Sequence, residues 1–114
     1  MTQASDRGAD VLESLLSRFG GTAATLVLGA STLALTDCWK GQEFRDAGDG
    51  LDKDRCVWTF RSSDLAGLVP APGMTITSGT DVWTVPNEAS ALHQCFFGSG
   101  WSVTAQRRAQ RGEQ

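Results

Sequence analysis

Large apolar residues recur along this chain with two different periods. Val11, Leu12, Leu15, Leu16 and Phe19 fall at i, i+1, i+4, i+5 and i+8, the spacing of one helical face. Asp6 is placed to cap that helix, and Gly20-Gly21 supplies a left-handed stop. From Thr22 onward the period shortens to two. Residues 24–28 read as a strand, Gly29, Ala30 and Ser31 as a turn, and residues 32–40 as a second strand with Leu33, Leu35 and Trp39 on one face.

Cys56, Trp58 and Phe60 alternate with Val57, Thr59 and Arg61, as in a half-buried strand. A capped turn of helix over Ser62, Ser63, Asp64 and Leu65 leads through Pro70, Pro72 and Gly73 into a hairpin. Its strands are residues 74–77 and 82–85, with Met74 and Ile76 facing Trp83 and Val85. Residues 92–97 and 101–106 complete the strands, with Gly98, Ser99 and Gly100 turning between them.

Residues 41–54 differ in kind. Glu43, Arg45, Asp46, Asp49, Asp52, Lys53 and Asp54 are spaced by Gly41, Gly48 and Gly50, and only Phe44 and Leu51 are large and apolar. This predicts a long exposed loop, of the sort that in compact domains is functional or disordered. The predicted architecture is mostly β: a small barrel or sandwich of about seven short strands, one N-terminal helix and one long loop. Residues 1–21 form an arm and helix, 22–106 the barrel with the loop inserted, and 107–114 a polar tail carrying Arg107, Arg108 and Arg111.

Composition narrows the functional classes. A chain of 114 residues suits one domain with one core. The net charge of −3 disfavours free nucleic acid as the main ligand, because phosphate binding needs surplus Lys and Arg. It is compatible with the wall of a channel that DNA only traverses. Cys38, Cys56 and Cys95 are odd in number and widely spaced, which points to reduced thiols. The first twenty residues hold Asp6, Asp10 and Glu13 and no continuous apolar run, unlike a signal peptide, and no segment has the length of a membrane span.

Candidate chemistry is thin. His93 is the only histidine, and no nucleophile elbow accompanies it, so it reads as a surface or structural side chain. His93 and Cys95 share a strand face, but the tight cysteine pairs of structural zinc sites are missing. The aspartates of the loop have the wrong spacing for an EF-hand. Trp39, Trp58, Trp83 and Trp101 lack the interleaved Lys and Arg of a single-strand binding platform, so Trp58 and Trp83 read as core. The expectation is a protein without catalysis, metal or cofactor that works by docking to other chains.

An ordered pattern covers roughly residues 18–108. Phe19, Gly20, Gly21, Thr22 and Ala23 open a strand. Phe60 leads into Ser63, Asp64 and Leu65, then Pro70, Pro72 and Gly73, then Ile76. Gly79 precedes Trp83 and Val85, and Gly100, Trp101 and Val103 lead to Arg107 and Arg108. This pattern resembles the head–tail joining proteins of tailed bacteriophages, also called head-closure or stopper proteins. Met74 stands where that family often has Asp, and residues 87–93 lack an obvious counterpart.

The resemblance implies a virion structural protein of the neck, assembled in the host cytoplasm as a homo-oligomeric ring. The ring would sit between portal and adaptor proteins on the head side and tail-terminator or tail proteins on the other. Packaged DNA would pass through its lumen without sequence-specific contact. By the same analogy residues 41–54 form the channel or interface loop, ordered only on assembly, whose acids repel DNA phosphates. The helix residues Val11, Leu12, Leu15, Leu16 and Phe19 and the tail residues Arg107, Arg108 and Arg111 become docking elements. An exposed leucine stripe would suit docking in a partner's groove; a helix that caps its own barrel is the competing reading. A tail-terminator or adaptor, or a stand-alone barrel binding a small ligand or nucleic acid, are the alternatives.

Overall fold

The computed structural model describes residues 4–46 and 53–108. Helix α1, Ala4–Phe19, precedes eight strands. These are β1 Thr22–Leu28, β2 Ser31–Lys40, β3 Phe44–Asp46, β4 Lys53–Arg61, β5 Thr75–Ser78, β6 Asp81–Thr84, β7 Leu92–Cys95 and β8 Gly100–Arg108. All pairings are antiparallel. The order β4-β2-β1-β5-β6-β8 closes on itself through β4 and β8, giving a six-stranded barrel. Strands β3 and β7 are additions, carried on β4 and β8 respectively. Closure leaves the six barrel strands without the long free edge that an open sheet presents.

The inward side chains explain why the sheet closes. Leu26, Ile76 and Trp83 lie opposite one another across β1, β5 and β6, and all three are buried. Trp58 and Phe60 of β4 meet Val103 and Trp101 of β8 in register, with Met74, Val85 and Leu65 completing the core. Two buried indoles and a phenyl ring fill the interior, as expected for a barrel too narrow to hold a cavity. The hairpin register matches the sequence reading: Ile76 faces Trp83, and the Val85 N–H donates to the Met74 carbonyl at 2.9 Å.

Several expectations change. Residues 41–54 are not one loop: residues 41–43 connect β2 to β3, and β3 pairs with the start of β4 from Phe44↔Arg55 to Asp46↔Lys53, so what lies between those two strands is residues 47–52, outside the described residues. The period-two signal was hidden because the three-residue β3 is polar apart from Phe44. The last strand runs to Arg108 rather than residue 106, paired throughout with β4. Trp39 does not share a face with Leu35, because pairing shifts between Thr22↔Cys38 and Ala24↔Leu35; this bulge turns Cys38 inward and Trp39 outward. The strand expected over residues 92–97 stops at Cys95, since Phe96 adopts a left-handed φ of 53° and starts the turn into β8.

Helix α1 starts at Ala4, so Asp6 lies inside its first turn rather than capping it. The C-terminal stop is as read. Gly20 donates to the Leu16 carbonyl at 2.8 Å, and Gly21 takes a φ of 93°, a conformation that costs glycine little. Leu12 and Leu16 are buried, and the helix packs on the Phe96–Gly98 turn and on β2. A Cβ on Gly100 would lie 2.9 Å from Leu12 Cδ2 and 3.3 Å from the Phe60 carbonyl oxygen. Glycine there lets the helix lie directly on the strand. Gly100→Ala is therefore expected to destabilise the chain by about 1–2 kcal/mol, the usual cost of overpacking, measured by urea denaturation. An unchanged midpoint would show that the helix does not depend on this close approach.

Candidate interaction surfaces

Two arginines organise the surface, one at each end of the β4–β8 ladder. Arg61 ends β4 opposite Gly100, and Arg107 pairs with Asp54 near the other end. Around Arg61 converge Glu13 of α1, Asp37 of β2 and Asp64 of the turn that follows β4. The guanidinium Nη2 donates to Asp37 Oδ2 at 2.7 Å and to Glu13 Oε1 at 2.7 Å, while Nε donates to Glu13 Oε2. Asp37 accepts a further bond at 2.7 Å from the Gly21 N–H. One cation thus fixes the helix, its exit turn and two strands. The hydrogen bond from Arg61 holds the Glu13 carboxyl below its ordinary value, and those same contacts push Arg61 further above its own.

The predicted docking helix is divided by this arrangement. Leu12 and Leu16 belong to the intramolecular contact, and Leu15 is partly covered. Val11 (51% exposed) and Phe19 (50%) remain on the surface, with the Phe19 ring stacked on Trp39 at a centroid distance of 5.1 Å. A continuous leucine stripe free for a partner's groove is not present. Capping its own barrel is the reading that the packing supports.

Arg107 is likewise no part of a loose tail. Its Nη2 lies 2.7 Å from Glu43 Oε1, its Nη1 2.7 Å from Asp81 Oδ1 and its Nε 3.5 Å from Asp54 Oδ2. The Cζ sits 4.5 Å from the centroid of the buried Trp83 ring. Lys40 approaches the same ring at 5.6 Å and pairs with Glu43 at 2.5 Å. Partly covered cations over an indole face are held by the ring quadrupole as well as by their carboxylates. The sequence could not show this because Glu43, Asp54, Asp81 and Arg107 come from four separate segments. Arg108 continues the ladder opposite Lys53, and Arg111 lies outside the described residues.

The acidic segment therefore offers less free charge than its composition suggests. Glu43 is neutralised by Lys40 and Arg107, and Asp54 by Arg45 at 3.1 Å and by Arg107. Asp46 and Lys53 form the last pair of the hairpin stem, while Asp49 and Asp52 lie outside the described residues.

The thiols and the histidine do not assemble. Cys38 and Cys56 point into the core, whereas His93 is exposed on β7, with Cys95 half-buried and its Sγ 3.7 Å from Ser102 Oγ. Among the described residues no group of three or more His, Cys, Asp or Glu could hold a metal ion. Burial pushes the Cys38 thiol up to about 12, with Asp64 and Asp37 adding to it, and pushes Cys56 up to about 11.

The class defined by these observations is a small antiparallel six-stranded barrel with a docked N-terminal helix and a hairpin that prolongs its wall. In sequence, the chain matches no known family model and no curated protein.

Two expectations follow from this surface. Arg61→Met should destabilise the chain by about 1–2 kcal/mol, since it leaves partly exposed carboxylates without their shared cation. Because the folded Glu13 value is depressed, its contribution is present above the ordinary value of 4.5 and is lost as pH falls below it. Wild type should thus lose more stability than Arg61→Met between pH 5 and about pH 3, followed by denaturation at each pH. Parallel loss in the two proteins would show that the pair contributes nothing. In native protein at pH 8, a maleimide should label Cys95 at least ~10-fold faster than Cys38 or Cys56, read by mass spectrometry of digests. Equal rates at all three would contradict the burial described.

Proposed function

We propose that this protein is a structural subunit of the head–tail connector of a tailed bacteriophage or phage-like particle. As a stopper it would form a ring that closes the DNA-filled head and offers the tail its attachment surface. The observation that carries the reading is the barrel with its hairpin: β3 and β4 extend the wall beyond the last β2–β4 pair and bring the chain to residues 47–52. A closed barrel with a projecting loop is what the resemblance over residues 18–108 implies for such a ring. The filled interior, occupied by Trp58, Trp83 and Phe60, favours a shape-bearing role over a barrel that encloses a ligand.

The loop has a narrower part than its sequence implied. Arg107, Glu43 and Asp54 act as a rigid stem, leaving residues 47–52 as the element available to the channel or to a neighbouring protein. The test is to replace residues 47–52 with a Gly-Ser segment of equal length, keeping the stem, in particles that contain this chain. Retained DNA or joined tails should fall at least ~10-fold while the purified variant keeps its fold, as followed by circular dichroism. Particles with normal DNA content and tails would remove the loop from this role.

A further inference from the structure

Helix α1 lies on the outside of the barrel wall. Along β4 the buried apolar side chains are Cys56, Trp58 and Phe60, and along β8 they are Val103 and Ala105, so Arg61 and its partner Gly100 face outward. Those two positions are where the helix touches. Leu12 Cδ2 lies 2.9 Å from where a Cβ on Gly100 would stand, and Glu13 pairs with Arg61. Leu12 and Leu16 are buried, yet among the described residues no part of α1 joins the apolar cluster that fills the barrel. That core is assembled from residues 24–105 alone.

The attachment is narrow. Of the apolar face formed by Val11, Leu12, Leu15, Leu16 and Phe19, only Leu12 and Leu16 are buried, while Val11 and Phe19 stay about half exposed. Beyond these contacts the helix is held by the Phe19–Trp39 stack and by Arg61, whose guanidinium joins Glu13 to Asp37 and Asp64. All four charged side chains of that group are open to water, from 22% for Arg61 to 54% for Glu13. Ion pairs so exposed add only a modest increment to docking.

The exit from the helix has the chemistry of a hinge. Gly20 and Gly21 alone join α1 to β1, and the Gly21 N–H is held by Asp37 Oδ1 at 2.7 Å. Rotation about two glycines moves the helix without disturbing Thr22, which is already paired with Cys38. A 16-residue helix with Gly8 in its second turn is marginal by itself, so its amides are protected only while it is docked.

We propose that α1 is a latched arm: it leaves the barrel as one unit, about the Gly20-Gly21 hinge, while the β4–β8 ladder stays closed, and the Arg61–Glu13 pair is the latch. Docked, the arm divides its own apolar face and covers the outer wall beside Gly100 and Phe96. Released, Val11, Leu12, Leu15, Leu16 and Phe19 are all free for a partner's groove, so the docked state is autoinhibitory toward that contact. The latch is a property of the lone chain and does not rest on the connector reading.

The test is amide hydrogen exchange in the full chain at about pH 7, read residue by residue by NMR in wild type and in Glu13→Gln. The amides of residues 12–16 should share one protection factor, at least ~10-fold below that of the β4–β8 ladder. Glu13→Gln should lower it a further ~2–5-fold and leave the ladder unchanged. Protection at residues 12–16 equal to that of the ladder would overturn the proposal, because the helix would then open only with the whole barrel. Protection graded from a ladder-like value at mid-helix toward both ends would overturn it too, as the fraying of a helix that never leaves. Unchanged α1 exchange in Glu13→Gln would overturn the latch.

Discussion

The β4–β8 ladder is the constraint on which the rest of the structure depends. It joins Lys53–Arg61 to Gly100–Arg108 along nine consecutive pairs and is the longest uninterrupted pairing among the described residues. The β6–β8 seam, by contrast, holds a single pair, Thr84↔Gln106. Segments whose paired residues lie 39 to 55 positions apart in sequence are brought side by side, which closes the barrel and buries Trp58 and Phe60 against Val103 and Trp101. Such non-local pairing must overcome loop-closure entropy before it gains burial, so its stability has to be concentrated in a long register with large side chains.

Both arginine centres derive from that register. Arg61 stands where β4 leaves the ladder, within reach of the helix, the β2 bulge and the Ser62–Leu65 turn. Arg107 stands near the other limit, where β6 and the β3–β4 hairpin converge over Trp83. Each is mostly covered, and each touches three carboxylates. Dispersed acids from distant segments are thereby converted into fixed geometry, and two of the acids of residues 41–54, Glu43 and Asp54, are paired within the stem.

What could be read from sequence follows the range of the interactions. The 73–85 hairpin, the Cys56–Trp58–Phe60 face and the Gly20-Gly21 stop depend on near neighbours and were legible. The β3 strand was not, because three residues that are polar apart from Phe44 form a strand only when β4 is already in place. Trp39 was misassigned because a bulge, which has no side-chain signature, inverts the period after Leu35. Of the expected docking elements, Leu12, Leu16 and Arg107 are engaged within the chain. The stacking of Phe19 on Trp39 escaped notice, since the two residues belong to different elements, α1 and β2.

Under the proposed function this chain acts through contact with copies of itself and with neighbouring proteins. Cryo-electron microscopy of intact particles containing the chain tests that claim most directly. The expected density is a ring of identical barrels coaxial with the DNA channel, residues 47–52 facing the lumen or an adjacent ring. Isolated single barrels in such particles, or no density for the chain at the neck, would contradict it.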